Sequence, residues 1–275
     1  MARTPRSTTT EEDAALYESH VVPRYTTHFS ELVLAELGSS IGGTVLDVGC
    51  GTGHPTFELL GRLAEGGRII AVDSDSALLD LARRRGHEHV GTRVFFKVAD
   101  ARALDFGDEV FDVVVGNLLL EEVHEPAAVL SELIRVLAPG GRLLVTRPLS
   151  GTFEEVLDMF REVALRHDLP AVHRRADEVA ARYPTAGAFG ALLRAAELSD
   201  IELQQQSFRL SFRNAKVLFT DPVVRFLGLP SWRWIAGFEP RGLEHLEEVE
   251  RCLDVYFGGG PLSLTVNAGL ATGTR

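Results

Sequence analysis

The sequence has 275 residues, of which 45% are hydrophobic and 24% are charged, and this balance excludes a wholly disordered chain. It contains 28 Lys and Arg residues and 39 Asp and Glu residues, giving a net charge of −11. That charge disfavours a nucleic-acid partner, because general nucleic-acid binding needs a positive surface. No apolar run reaches the about 18 residues of a membrane span, and the 2 cysteines are too few for a disulfide framework or a thiolate metal site. We therefore expect a cytoplasmic protein without a membrane span or a bound metal.

The N-terminal part of the chain predicts a tail followed by two helices. Residues 1–10 combine arginine and hydroxyl side chains without an apolar stretch, which is typical of a disordered tail. Thr10–Asp13 has the form of a capping box, so the first helix is expected to begin at residue 11. A second helix is expected over Thr27–Leu37, where apolar residues recur on one face and Gly38 follows the last of them.

Five short apolar runs then alternate with amphipathic stretches. This alternation indicates right-handed βαβ units around a buried parallel sheet. The predicted strands are Thr44–Gly49, Arg68–Asp73, Arg93–Asp100, Phe111–Asn117 and Arg142–Thr146. The helices predicted between them are Thr56–Ala64, Ser76–Arg85 and Ala127–Leu137.

The rest of the chain predicts two more strands and two groups of helices. Alternating apolar residues predict strands at Ile201–Phe212 and Leu262–Ala271, whereas residues 152–184 and 214–258 have helical periodicity. Because no internal repeat or linker is visible, we expect one domain over residues 11–275. Its core would be residues 41–150 and 187–275, with the two helical stretches inserted as a lid.

The loop after the first predicted strand carries the most specific chemical signal. Glycines at this position let the backbone approach a ligand in front of a helix N-terminus. A dinucleotide fingerprint would have its third glycine where His54 stands, and a Walker loop would need a lysine that is missing. The pattern favours a ligand with its own ammonium, facing the acid before the loop, and its own carboxylate, facing the loop amides. The residues assigned to this ligand are Asp47, Gly49, Cys50, Gly51 and Gly53.

Acidic residues also end the second and third predicted strands. Asp73, with its neighbour Ser74, stands about 20 residues past the loop, where a carboxylate can accept both ribose hydroxyls of a nucleoside. Asp100 can accept a hydrogen bond from an adenine amine, while the backbone amide of Ala101 donates to a ring nitrogen. Asp73 alone does not separate a nicotinamide cofactor from an adenosyl one.

These residues, taken together, resemble the class I S-adenosylmethionine-dependent methyltransferases. Asp47–Gly53, Asp73 and Asp100, joined by Phe111–Asn117 and Leu130–Arg142, are similar to the branch that contains the ubiquinone and biotin pathway enzymes. The resemblance implies an α/β, Rossmann-like, doubly wound seven-stranded sheet, parallel except for its last strand. It also implies a cofactor site that includes Asn117, in-line transfer of a methyl group to a small organic acceptor, and S-adenosylhomocysteine as the product. The resemblance makes no prediction of oligomeric state.

Catalytic and acceptor-binding residues are predicted outside that pattern. Related sequences often have a histidine pair where this chain has two glutamates, so a histidine base is not carried over directly. We expect Glu122 or His124, which follow the fourth strand, to act as the base. Alternatively, Glu121 and Glu122 only complement the N-terminus of the next helix. Tyr17 and Tyr25, which precede the sheet, could close over the methionine end of the cofactor, and Tyr25 is also a candidate for contact with the acceptor. Trp232 and Trp234 are candidates for an apolar acceptor pocket, although aromatic residues at such density are more often core.

Two other functions stay open from the sequence. A non-catalytic protein could keep the fold to bind S-adenosylmethionine or to regulate. A nicotinamide-dependent oxidoreductase is the second alternative, disfavoured by His54 at the place of the third fingerprint glycine.

Overall fold

The structure is a computed structural model that describes residues 9–123, 125–238 and 241–275, and of Glu122 only the backbone. The tail expected over residues 1–10 therefore lies mostly outside the described residues. The side chain of Glu122 and the whole of His124, the two candidate bases, also lie outside them.

A seven-stranded sheet organises the chain. The strands are β1 (Thr44–Val48), β2 (Arg68–Asp73), β3 (Val94–Val98), β4 (Phe111–Gly116), β5 (Leu137–Pro148), β6 (Ser199–Phe212) and β7 (Leu262–Thr274). Their order is β3-β2-β1-β4-β5-β7-β6. The neighbours from β3 to β5 pair in parallel, and β7 is antiparallel. The predicted fold class is confirmed.

Helices alternate with the strands as the apolar periodicity indicates. They are α1 (Glu11–Leu16), α2 (Thr27–Leu37), α3 (Thr56–Leu60), α4 (Ser76–Arg85), α5 (Leu119–Glu122), α6 (Pro126–Val136), α7 (Glu154–Arg166), α8 (Pro170–Ala180), α9 (Ala186–Ala195), α10 (Ala215–Thr220), α11 (Pro222–Leu227), α12 (Leu229–Ala236) and α13 (Arg241–Tyr256). A π-helical stretch, Tyr17–Thr26, joins α1 to α2. The capping box at Thr10 is present, because its hydroxyl accepts from the Asp13 amide at 3.1 Å.

Several elements differ in length from the sequence prediction, and the largest differences are at α3 and β5. Helix α3 ends at Leu60, four residues early, since Gly61 caps it. Strand β5 begins at Leu137 rather than Arg142 and includes the Pro-Gly-Gly segment that we expected to be a turn. Arg275, which follows β7, pairs with this segment of β5. The Gly140 amide donates to the Arg275 carbonyl at 3.0 Å, and the Arg275 amide donates to the Gly141 carbonyl at 3.1 Å.

The chain forms two compact units. The first comprises the residues up to Arg147, together with Ala186–Gln205 and Gly269–Arg275; it contains β1 to β4 and α1 to α6. The second comprises Pro148–Thr185 and Gln206–Ala268 and contains α7, α8 and α10 to α13. The helices expected as insertions fall in the second unit, and their role as a lid stays a prediction. In the part of the chain that the structure describes, no helix combines the length and apolar character needed to cross a bilayer.

Parallel pairing aligns the carboxyl ends of the strands in the first unit. Asp47 of β1 is in register with Ala71 of β2 and with Val115 of β4. Asp73 of β2 is in register with Val98 of β3. The residues that leave these four strands therefore meet at one edge of the sheet, which is where ligands bind in open α/β folds.

Candidate cofactor and active site

A cleft of about 550 Å³ lies at this edge of the first unit. Its lining follows the order of the strands. Asp100 and its neighbours line it beyond β3, Asp73 and Ser74 beyond β2, Gly49 and Gly51 beyond β1, and Asn117 beyond β4. The structure thus brings predicted cofactor residues from four strands together in one cavity, whereas Asp47, Cys50 and Gly53 are not among its described lining residues.

The glycine loop forms the wall of the cleft at β1. Gly49 and Gly51 adopt φ of 74° and 54°, a region that favours glycine, and a Cβ on Gly51 would meet no atom within 4 Å among the described residues. Gly53, at φ 93°, lies against Phe57, whose ring would be 2.4 Å from an added Cβ. The loop backbone can therefore approach a ligand closely, and any larger residue at Gly53 would displace Phe57.

The loop amides, however, already donate within the protein. The amides of Gly49 and Cys50 donate to the Val72 carbonyl at 2.8 and 3.0 Å. The Gly51 amide donates to Asp73 Oδ2 at 2.8 Å, and the Gly53 amide donates to the Cys50 carbonyl at 2.9 Å. These bonds hold the loop together and against β2, and the expectation that its amides face a ligand carboxylate stays a prediction.

Asp47 lies beneath the loop as a buried charge. Its Oδ2 accepts from the Thr56 hydroxyl at 2.6 Å, whereas Oδ1 is buried without a hydrogen-bond partner among the described residues. Burial raises the pKa of Asp47 to about 7, against the smaller lowering effects of Thr56 and His54. A cation bound nearby would stabilise the ionised form. The sequence indicated the acid but gave no signal for Thr56, which comes nine positions later at the start of α3.

Asp73 both shapes the loop and lines the cleft. Besides its bond with Gly51, it accepts from the Asp75 amide through Oδ1 at 2.8 Å. Carboxylate oxygens can accept more than one hydrogen bond each, so the bonds to the loop are compatible with the proposed contact to ribose hydroxyls. The exposed Ser74 lies beside it in the lining.

Asp100 has a partner that the sequence analysis missed. The guanidinium of Arg102 donates to both oxygens, from Nε at 3.0 Å to Oδ1 and from Nη2 at 2.6 Å to Oδ2. The Arg102 amide also donates to Oδ1 at 2.9 Å. These bonds lower the pKa of Asp100, so the acid is ionised and oriented beside Ala101. An arginine two residues after a turn acid is the signal that could have identified the pair.

The cleft is acidic. Its described lining carries the carboxylates of Asp73, Asp75 and Asp100, and its single cation there is Arg102, which is already paired. Asp75 also caps α4, accepting from the Ala77 amide at 2.9 Å, so the helix N-terminus that faces the cleft is neutralised. This arrangement favours a cationic ligand and disfavours the pyrophosphate of a dinucleotide.

Asn117 closes the cleft beyond β4. Its Oδ1 accepts from the Thr146 hydroxyl at 2.7 Å, and the Thr146 oxygen accepts in turn from the Leu118 amide at 2.9 Å. Leu118 adopts a left-handed conformation with φ 60°, which is uncommon for a residue other than glycine. The Asn117 side chain is thereby held in one orientation at the edge of the cleft.

The side chains of Cys50 and His54 lie within the protein, and the predicted cofactor contact of the Cys50 backbone stays a prediction. Burial raises the pKa of the Cys50 thiol well above its usual range, so this thiol is not a nucleophile at neutral pH. His54 lies between α2 and α3, with Nε2 2.7 Å from the Ser30 hydroxyl and Nδ1 2.8 Å from Glu58 Oε1. These contacts fasten the loop to α2.

The aromatic candidates are not assembled in this cleft. Tyr25 is fully buried, with its ring 4.9 Å from that of Phe29, while Tyr17 is the tyrosine among the described lining residues. In the second unit, Trp232 is buried 6.0 Å from the Phe153 ring, whereas Trp234 is partly exposed beside Arg182. The acceptor-binding roles of Tyr25, Trp232 and Trp234 stay predictions.

The catalytic candidates sit after β4. The backbone places Glu122 at the end of α5, and Val123 lines the cleft next to it. The roles of Glu122 and His124 stay predictions. Among the described residues, no group of three or more His, Cys, Asp or Glu side chains is placed to hold a metal ion.

Sequence comparison identifies the family. Residues 39–186 match the model of a methyltransferase domain family. A demethylmenaquinone methyltransferase of Renibacterium salmoninarum is 30% identical over 195 residues, which cover 66% of this chain and 78% of that protein. The ubiquinone/menaquinone biosynthesis C-methyltransferase UbiE of Idiomarina loihiensis is 32% identical over 123 residues, covering 43% of this chain and 49% of the relative. The chain thus spans most of one relative and about half of the other.

Structural comparison agrees on the fold. A Haemonchus contortus phosphoethanolamine N-methyltransferase 2, solved in complex with S-adenosyl-L-methionine, has a TM-score of 0.58 at 17% sequence identity. The match covers 98% of this chain and 58% of that chain. At this identity the likeness is one of fold.

Replacing the buried acid should stabilise the protein. The pKa of Asp47 is about 7 in the folded chain and about 3.9 in an unfolded one. The folded state therefore binds more protons between these values, and stability falls as pH rises from about 4 to about 7. Asp47→Asn removes the charge yet keeps an oxygen for Thr56. We expect its free energy of unfolding at about pH 8 to exceed the parent's by about 1–3 kcal/mol.

Urea unfolding at about pH 5 and about pH 8 measures this difference, which should shrink at the lower pH. Asp80→Asn, on the exposed side of α4, is the matched control and should change stability by less than about 0.5 kcal/mol. A variant at position 47 that is less stable than the parent at the higher pH would contradict the assignment of a costly buried charge.

Proposed function

The chain belongs to the methyltransferase domain family, and on that premise we propose how it performs S-adenosylmethionine-dependent methyl transfer to a small organic acceptor. It is similar to the branch that contains the quinone-pathway enzymes. The proposal concerns which residues bind the cofactor, which promote the reaction, and which acceptor chemistry the cleft suits.

The observation that carries the proposal is the order of side chains along the cleft. Passing from β3 through β2 and β1 to β4 crosses three inter-strand steps of about 4.8 Å, or about 14 Å in all. Over that length the cleft presents Asp100 with Ala101, then Asp73, then Gly49 and Gly51 of the glycine loop, and finally Asn117. This order of side chains along the cleft suits an elongated ligand with an adenine, a ribose and an amino-acid end.

Charge supports the same ligand. S-adenosylmethionine carries a sulfonium and an ammonium, and the described cleft lining is rich in carboxylates, with Asp47 buried below it. The proposed ammonium partner is Asp47, whose Oδ1 is orphaned among the described residues. A ligand cation would offset a buried charge that is otherwise costly.

The cofactor supplies an activated methyl group, which passes from the sulfonium to the acceptor atom and leaves S-adenosylhomocysteine. The protein's part is to align the reactants and exclude water. Alignment of this kind can supply about 7–11 kcal/mol of a barrier. Asp73 and Asp100 would fix the nucleoside, so that the methionine end lies at the β1 and β4 exits. A base is needed only where the acceptor must lose a proton.

The acceptor is proposed to be a small organic molecule, with neither a nucleic acid nor a bound metal taking part. The two similar proteins are named for demethylmenaquinone and for ubiquinone or menaquinone synthesis. The net charge of −11 argues against nucleic acid. We further propose a cytoplasmic location, supported by two buried cysteines that are not joined in a disulfide.

Removing the Asp73 carboxylate should weaken the cofactor complex. Asp73→Ala loses charge-assisted hydrogen bonds to the ribose and the anchor of the Gly51 amide. We expect the affinity for S-adenosylmethionine, measured by calorimetry, to fall by about 2–3 kcal/mol, or about 30- to 150-fold. Asp73→Asn keeps one oxygen and should fall between the parent and the alanine variant. Tight NADH binding by the parent without binding of S-adenosylmethionine would end the account.

The base proposal is tested by turnover. If Glu122 or His124 removes a proton from the acceptor, Glu122→Gln or His124→Ala should slow single-turnover methylation by about 10²–10⁴ and remove one limb of the pH profile. Cofactor affinity should change little. If alignment alone drives the reaction, both variants should stay within about tenfold of the parent across pH, and that result would rule out this pair as the base.

A further inference from the structure

The Asn117 amide is a buried donor whose direction is fixed. The side chain is 6% exposed, and its Nδ2 has no hydrogen-bond partner among residues 9–123, 125–238 and 241–275. It nevertheless borders the cleft. A buried donor left without an acceptor costs about 1–3 kcal/mol, so an orphan at a ligand cleft points to a ligand acceptor.

Thr146 determines which end of the amide is the donor. Its hydroxyl oxygen accepts from the Leu118 amide at 2.9 Å, and its proton goes to Asn117 Oδ1 at 2.7 Å. Turning the amide over would place two donors against the hydroxyl and deprive its proton of this acceptor. Because Thr146 is fully buried, that arrangement would be costly. The Nδ2 end is therefore held away from Thr146.

The Asn117 amide can supply a hydrogen bond to the ligand that four amides of the glycine loop do not. The amides of Gly49, Cys50, Gly51 and Gly53 donate to protein acceptors. The amino-acid end of the cofactor, placed by the proposed function at the β1 and β4 exits, brings a carboxylate to the place where those amides are already used. Strands β1 and β4 are direct neighbours, and Asn117 is the first residue after β4.

We propose that Asn117 Nδ2, aligned by Thr146, binds the carboxylate of the cofactor's amino-acid end. Asn117 is then a binding residue and Thr146 a positioning residue, and the pair complements Asp47, which faces the ammonium. The Leu118 amide, which donates to the Thr146 oxygen at 2.9 Å, leaves the hydroxyl proton for Asn117 Oδ1. The inference rests on the proposed function, because it needs the cofactor to lie along the cleft.

The test compares S-adenosylmethionine with its decarboxylated analogue, which keeps the ammonium and the sulfonium. Asn117→Asp is nearly isosteric and keeps an acceptor for Thr146, but it replaces the donor with a negative charge. Calorimetry should show an affinity loss of about 100-fold or more for S-adenosylmethionine, and unchanged or tighter binding of the decarboxylated analogue. Asn117→Ala should weaken only the first ligand, by about 10- to 100-fold.

Variants at position 146 test the positioning role. Thr146→Val releases the amide and should weaken S-adenosylmethionine by about 3- to 10-fold without affecting the decarboxylated analogue, whereas Thr146→Ser should restore the parent affinity. Thr152→Val is the matched control: Thr152 is equally buried and donates to the Leu149 carbonyl in the second unit at 2.8 Å. It should leave both affinities unchanged.

The outcomes separate this inference from the proposed function. A parent that binds neither ligand would overturn the proposed function and this inference with it. A parent that binds both, with Asn117 variants that lose both equally or neither, would overturn the inference alone. Variants that bind both ligands normally but raise the Michaelis constant of the acceptor would also overturn it, since Asn117 would then contact the acceptor.

Discussion

The rest of the site depends on one buried carboxylate, that of Asp47. It is the last but one residue of the central strand β1 and is fully buried. Its Oδ2 accepts a hydrogen bond from the Thr56 hydroxyl. Removing a charge from water with so little compensation is costly, and burial accordingly raises the pKa of Asp47 to about 7. A bound cation can offset the unfavourable burial of this carboxylate. If the proposed contact with the ligand ammonium is made, cofactor binding is coupled to the ionisation of Asp47.

The hydrogen bonds next to Asp47 do not form a phosphate-binding site. The glycine loop uses its amides to hold itself on β2, with Asp73 accepting from Gly51. The N-terminus of α4, which could attract an anion, is capped by Asp75. Since the amides of Gly49, Cys50, Gly51 and Gly53 donate within the protein, the donor proposed for the ligand carboxylate is the Asn117 side chain.

The sequence predicted the features that depend on backbone periodicity. Asp47, Asp73 and Asp100 were placed at strand ends by short apolar runs, and parallel pairing brings the ends of those strands to one edge. The sequence could not predict side-chain partners, because these contacts depend on particular rotamers. The contacts are those of Thr56 with Asp47, Arg102 with Asp100 and Thr146 with Asn117. Nor could it choose between the two tyrosines: Tyr17–Thr26 is π-helical, so a helical period of 3.6 residues does not describe which side chain faces the cleft.

The coupling of cofactor binding to the ionisation of Asp47 is the most direct test of the account. The affinity for S-adenosylmethionine should be measured between about pH 5.5 and about pH 7, where an α-amino group with a pKa of about 7.7–8.0 stays protonated. We expect affinity to fall by about tenfold or more towards the lower pH, because binding must then expel a proton from Asp47. Asp47→Asn should bind weakly with little pH dependence. An affinity that is constant over this range, or a parent-like slope in the variant, would contradict the account.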